Sequence, residues 1–149
     1  MIVNTSRFGQ LNVDEQRLIS FPEGILGFPR QQEYALVQTG RESGFYWLQS
    51  VDTADLAFVV CDPRLFVGDY QVPVKLDELA GIGLIRAADA QVFVIVNKVG
   101  DTLTGNFQGP LVINVVNRHG RQVVLSDRRY ATRQPLLRLS RLMALGKTA

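Results

Sequence analysis

The sequence predicts an all-β fold, a small antiparallel β-barrel-like domain, and three observations support this reading. Short segments rich in β-branched and aromatic residues recur along the chain, bounded by Gly, Pro, Asn and Asp. These segments either alternate in polarity at period two or run continuously apolar. Only two stretches carry a helical spacing, too few for helices to cover a parallel sheet. The chain has 149 residues, a length suited to one compact domain.

Strands are expected over 2–5, 10–13 and 17–21 as an opening meander, with Arg7-Phe8-Gly9 and Asp14-Glu15 at the turns. A strand over 33–39 is broken by Gly40 and Ser43-Gly44 before the next, over 45–51. There Phe45, Trp47 and Gln49 alternate with Tyr46, Leu48 and Ser50. Asp52-Thr53-Ala54-Asp55 makes a turn, and 56–61 is a continuous apolar run suited to a strand covered on both faces. The strongest strand is 91–99, dense in β-branched residues. Segments 111–116 and 121–125 flank Asn117-Arg118-His119-Gly120, which reads as a four-residue hairpin loop. Phe45, Trp47, Phe58, Val60, Phe93 and Ile95 are the expected core residues.

One short helix is expected over 75–80, stopped by Gly81 and Gly83. Over 135–145, Leu136, Leu139, Leu142, Met143 and Leu145 are spaced as a helical apolar face, with Arg138 and Arg141 on another and Pro135 in the first turn. The alternative there is a frayed terminus. The chain is accordingly divided into a β-barrel-like domain, 1–133, and a basic C-terminal tail or helix, 134–149.

Charge is distributed unevenly. Residues 1–116 carry eight basic and thirteen acidic side chains, and residues 117–149 carry eight basic and one acidic. An acidic body with a basic tail raises the question of charged partners. Arg118, Arg121, Arg128, Arg129, Arg133, Arg138 and Arg141, with Tyr130 among them, make single-stranded RNA one candidate, because arginine binds phosphate bidentately and stacks on bases. The bland alternative is a solvated tail.

Chemistry classes fall away in turn. The lone Cys61 excludes an intramolecular disulfide and reads as a small core hydrophobe; the lone His119 leaves no His-rich metal cluster. Gly146-Lys147-Thr148 lacks the upstream glycine of a phosphate-binding loop, and Gly81-Ile82-Gly83 lacks a third glycine. A nucleophile needs a base within reach, and His119 sits in a predicted loop between arginines. Asp14-Glu15 and Asp77-Glu78 are adjacent pairs in turn or helix segments, not an acid facing a base. The expectation is a non-enzymatic protein without cofactor or metal. No run approaches the ~20 apolar residues of a transmembrane helix. The first residues lack the basic and apolar regions of a signal peptide, so a cytoplasmic location without membrane contact is expected.

The segment 21–29 is unusual. Phe21, Ile25, Leu26 and Phe28 share it with two prolines and two glycines, so it is neither regular strand nor helix. It either plugs one end of the barrel or presents apolar side chains to a partner.

Phe21-Pro22-Glu23-Gly24-Ile25-Leu26-Gly27-Phe28 resembles the FP(D/E)GLPGF element of the flagellar assembly factor FliW family. Phe45-Tyr46-Trp47-Leu48-Gln49-Ser50-Val51-Asp52 is similar to that family's FxWLQSV element. Its DLAFxVxDP and FxxDY elements are matched by the run from Asp55 to Pro63 and by Phe66-Val67-Gly68-Asp69-Tyr70. Gly109-Pro110-Leu111-Val112-Ile113-Asn114, Tyr130-Ala131-Thr132-Arg133 and Pro135-Leu136 continue the match in register. The resemblance implies a small β-barrel-like protein that binds newly made flagellin in the cytoplasm. It implies a second partner, the translational regulator CsrA, captured when flagellin is exported and antagonised away from its RNA-contacting surface. An acidic body that steers onto basic or mixed surfaces fits this reading. Two features depart from the family: the tail is basic, and Asp69-Tyr70 is followed by uncharged Gln71-Val72-Pro73-Val74 rather than acids. The expected contact residues are Asp52, Asp55, Asp69, Tyr70, Gln71, Asn97 and Lys98, at predicted strand ends and turns. Two alternatives stay open: an RNA-binding barrel using the arginine-rich segment, and a general chaperone of secreted subunits.

Overall fold

A computed structural model describes residues 1–38, 44–73, 76–126 and 129–139. Its strands are β1 (Ile2–Thr5), β2 (Gly9–Asn12), β3 (Ile19–Ser20), β4 (Glu33–Val37), β5 (Phe45–Ser50), β6 (Ala57–Cys61), β7 (Ala90–Val99), β8 (Thr102–Gly105), β9 (Leu111–Asn114), β10 (His119–Gln122) and β11 (Gln134–Arg138). β1 and β2 form a separate antiparallel hairpin, and the others join one sheet in the order β11-β8-β7-β6-β5-β4-β3-β10-β9. β9 also pairs with β7, so seven strands, β7 through β6, β5, β4, β3 and β10 to β9, form a closed circuit of ladders. The all-β expectation holds. Pairing is antiparallel except between β3 and β10, which meet in parallel at His119 and Ser20.

β7 explains how one sheet serves two layers. Its first half, Ala90–Phe93, pairs with β9, and its second half, Val96–Val99, pairs with β8. Phe93 and Ile95 pack into a core with Ile19, Phe21, Ile25, Tyr34, Leu48, Val60, Leu111 and Ile113. Val94 and Val96 point the other way, into a second core with Cys61, Tyr70, Phe107 and Leu125. A strand covered on both faces must be apolar at every position, which is why 92–96 reads Val-Phe-Val-Ile-Val. β6 behaves likewise, sending Val60 to one core and Cys61 to the other. Burial, with the Asp62 charge adding to it, pushes the Cys61 thiol up to about 12, so it stays protonated at neutral pH.

Of the expected core residues, Val60 and Phe93 are buried, while Phe45, Phe58 and Ile95 are half-buried against the cores. Trp47 lies outside both clusters. The β1–β2 turn covers it, with the Arg7 guanidinium 4.1 Å from the ring centroid and Phe8 edge-on at 5.8 Å.

Several boundaries differ from expectation. The proposed strand over 17–21 begins as a 3-10 turn, Glu15–Arg17, because the Asp14 carboxylate accepts from Gln16 N and caps it. The short helix is a 3-10 segment, Leu76–Ile82. β8 was not anticipated. The hairpin loop falls earlier than 117–120: Asn114 Oδ1 accepts from Val116 N, Arg118 N donates to Asn114 O, and Arg118 takes φ 62°. His119 therefore sits on β10 rather than in a loop, and β10 ends at Gln122, short of the expected 125.

The expected helix over 135–145 is overturned in its first part. Residues 134–138 form β11, antiparallel to β8, and Leu139 N continues the contact to Asp101 O at 2.7 Å. Pro135 is tolerated because β11 is an edge strand, and a register shift between Pro135 and Leu137 absorbs its irregularity. The rest of that helix, the basic tail beyond it, Arg128, Arg141, Lys147 and the strand break at Gly40 and Ser43 lie outside the described residues.

Candidate partner-binding surface

The turn after β5 is built around one buried amide. Gln49 is fully buried, and its Nε2 lies 3.0 Å from Ser50 O, 3.4 Å from Thr53 O, 3.2 Å from Ala54 O and 3.1 Å from Leu56 O. An amide nitrogen has two protons, so these four carbonyls share them. Thr53 N donates to Ser50 Oγ, and the Thr53 hydroxyl donates to Gln31 Oε1 at 2.7 Å. From the β1–β2 turn, Ser6 N donates to Ala54 O, and the Ser6 hydroxyl donates to the Asp55 carboxylate. Asp52 and Asp55 are exposed on this fixed frame. Gln49→Leu keeps the volume and removes the shared donor, while Thr53 O, Ala54 O and Leu56 O keep backbone N–H donors; it should lower the unfolding free energy by about 0.5–1.5 kcal/mol in urea titration.

Chain topology divides the seven expected contact residues between two ends of the sheet. β7 runs antiparallel to β6, so its end, carrying exposed Asn97 and Lys98, lies toward the start of β6 and the Asp52–Asp55 turn. Asp69, Tyr70 and Gln71 follow the other end of β6. Exposed Gln71 lines a groove with Ala90 and Val92 near the start of β7. Val92 and Asn97 are five residues apart on one strand, roughly 17 Å. The seven expected contact residues therefore fall into two groups, one at each end of β6.

Tyr70 is corrected outright as an exposed contact. It is 4% exposed, its hydroxyl donates to Phe107 O at 2.6 Å, and its ring meets Phe107 and Tyr130 edge-on at 4.9 and 4.7 Å. Burial raises its phenol pKa well above the ordinary range, with Tyr130 adding to the shift. Its role is to anchor the segment that exposes Asp69 and Gln71. The available signal was spacing: Phe66, Val67 and Tyr70 all pack on the second core.

The 21–29 segment both plugs and presents. Phe21 and Ile25 are buried in the first core, whereas Leu26 is 64% and Phe28 39% exposed, the latter resting edge-on against Phe58. Its shape is held by a bridge between Ile25 and Phe28, by Leu26 N donating to Gln122 Oε1 at 2.8 Å, and by an Arg121–Glu23 ion pair at 3.2 Å.

Among the described residues no group of three or more His, Cys, Asp or Glu side chains is placed to hold a metal ion. No described helix is long and apolar enough to cross a membrane.

Comparison with known proteins places this arrangement. The family described as FliW protein matches residues 2–136. The flagellar assembly factor FliW of Leptospira interrogans serovar Lai is 38% identical over 138 residues, covering 91% of this chain and 92% of the relative. That of Treponema denticola is 35% identical over 149 residues, covering 99% of each. A crystal structure of the flagellar assembly factor FliW superimposes with a TM-score of 0.83 at 31% identity, covering 92% of this chain and 97% of that one.

Proposed function

The chain belongs to the FliW family of flagellar assembly factors, and on that premise we propose that it works by binding alone, in the cytoplasm. It holds newly made flagellin and, once flagellin has been exported, captures CsrA and antagonises it away from the RNA-contacting surface. Flagellin synthesis thereby follows secretion. The observation that carries this reading is the near-complete overlap with a flagellar assembly factor, 97% of whose chain is covered. The frame around Gln49 supports it: a turn whose backbone is already ordered offers Asp52 and Asp55 with little further entropy to lose on association. A second reading, contact with RNA, draws on Arg133 and Arg138, both exposed and without an ion pair among the described residues.

Calorimetric titration of the nuclease-treated protein with CsrA, followed by flagellin as competitor, tests the proposal. Saturable CsrA binding that flagellin displaces is the expected result. No heat with CsrA at several temperatures, alongside tight and salt-dependent RNA binding, would overturn it in favour of the second reading. Flagellin binding without CsrA binding would leave a chaperone of secreted subunits.

A further inference from the structure

The circuit of strands has one weak closure. β3 pairs with β4 only at Ile19–Tyr34 and Ser20–Glu33, and with β10 only at Ser20–His119. β4 continues past it to Val37. In an antiparallel ladder each residue turns its N–H and C=O to one side, and successive residues alternate sides. Val51 N donates to Glu33 O, so Glu33, Ala35 and Val37 face β5. Phe21 N donates to Gln32 O, so Gln32, Tyr34 and Leu36 face the β3 side. Continuing that register would set Arg17 opposite Leu36. Arg17 is turned away: its N–H donates to Asp14 O, and its C=O accepts from Arg118 Nε at 3.0 Å. The Leu36 N–H and C=O therefore point into a gap in the circuit, where no described residue bonds to either.

An open groove of about 580 Å³ lies along this edge. Leu36 and Tyr46, both packed against the first core, line it together with Leu11 and Val13 from the end of the β1–β2 hairpin. The charged side chains lining it are Asp14, Arg17 and Arg118. The Asp14 carboxylate accepts from Gln16 N, and neither arginine joins an ion pair among the described residues, so guanidinium is in excess. Arg118 is held in place by its C=O, which accepts from Ser20 N, and by its Nε, which donates to Arg17 O. Its two terminal amino groups are left for a carboxylate.

We propose that this gap takes an extended acidic segment of a partner protein, which adds a strand beside β4 at Leu36 and sets a carboxylate against Arg17 and Arg118. An edge offering both a donor and an acceptor is complemented by polypeptide backbone, whereas a phosphodiester has no proton for the Leu36 C=O. Apolar side chains of such a strand would meet Leu36 and Tyr46, and acidic ones the two guanidiniums. Residues 140–149 of this chain carry Arg141 and Lys147 and no acid, the wrong charge for that lining. The proposal rests on the binding function above and adds the conformation and charge of the segment that docks.

The test uses the full chain and short labelled probes: an alternating Val/Glu peptide, its Val/Lys counterpart, a single-stranded RNA, and two Val/Glu peptides N-methylated at every second amide in opposite registers. Fluorescence anisotropy should show binding of Val/Glu and not of Val/Lys. One N-methylated register should bind at least tenfold more weakly and the other nearly as well as the parent, because only alternate amides face β4. Arg17→Gln alters an exposed side chain, and Arg118→Gly suits a backbone already at φ 62°. Each should weaken the Val/Glu peptide severalfold, more at low salt than at high. Equal binding of Val/Lys, equal effects of the two N-methylated registers, or RNA that displaces Val/Glu and depends on the same arginines would overturn the proposal. If Arg118→Gly does not fold, Arg17→Gln and the N-methylated pair are read the same way. Titrations with CsrA and flagellin separate this inference from the function it builds on. A protein that binds Val/Glu in the gap but neither natural partner refutes the function and keeps the gap. One that binds both partners undiminished by Arg17→Gln and Arg118→Gly refutes the gap and keeps the function.

Discussion

Gly24→Ala is expected to lower the unfolding free energy by about 2–5 kcal/mol, a large share of the ~5–15 kcal/mol that holds a domain together. Two penalties combine. Gly24 adopts φ +71°, where an L-residue with a Cβ loses roughly 1–2 kcal/mol. A Cβ there would also meet Pro29 Cα at 2.5 Å and the Phe28 and Pro29 carbonyl oxygens at 2.7 Å. These are backbone atoms, so relief requires the turn itself to move, adding an overpacking term of about 1–3 kcal/mol. Movement would propagate, since Gly24 N donates to Phe21 O and Phe21 and Ile25 are core residues on either side. Gly27 is the internal control. Its φ is +88°, but nothing lies within 4 Å of an added Cβ, so Gly27→Ala should show the conformational term alone. Urea unfolding of both variants checks the difference; equal losses would mean that the close approach to Pro29 carries no energy.

That turn also shows what could be read from residues alone. Two glycines and two prolines around four apolar side chains ruled out regular structure, and the structure assigns Phe21 and Ile25 to the core and Leu26 and Phe28 to the surface. β7 was legible for a similar reason: its apolar run is what a strand needs when both faces are covered. β11 was misread because a bulge destroys the alternation that marks a strand. The register shifts between Pro135 and Leu137, and Leu136 stands three residues before Leu139, just past the strand's end, a spacing that imitates a helix. β8, Thr-Leu-Thr-Gly, is four residues of weak pattern, stabilised by neighbours on both sides rather than by its own composition. In the candidate surface, Asp52 and Asp55 announced a turn, but the residue that shapes the turn did not stand out. Gln49 shares a strand face with Phe45 and Trp47, and a lone amide at an apolar position was the available signal. Tyr70 failed for the converse reason: its phenol looks polar in sequence, yet one hydroxyl bonded to Phe107 O suffices to bury the whole ring.

Reversing the charge of the β5–β6 turn should have the largest effect on partner capture. In the double variant Asp52→Lys, Asp55→Asn, the association rate with the partner that uses this end should fall roughly tenfold to a hundredfold at low salt. Asparagine at 55 keeps an oxygen for the Ser6 hydroxyl, and both positions are exposed, so the melting temperature should barely change. The deficit should shrink as ionic strength rises and screening shortens the reach of the remaining charges. Stopped-flow mixing with CsrA and with flagellin reads the two partners separately. A slower rate with one partner alone would mean that the two ends of the sheet serve different proteins. Competition between them would then need a conformational link through the shared strands β6 and β7. Slower rates with both would mean that they compete for the same turn directly. Rates unchanged with either would place the binding function away from this turn, leaving Gln49 and its carbonyls as a device for closing the sheet end.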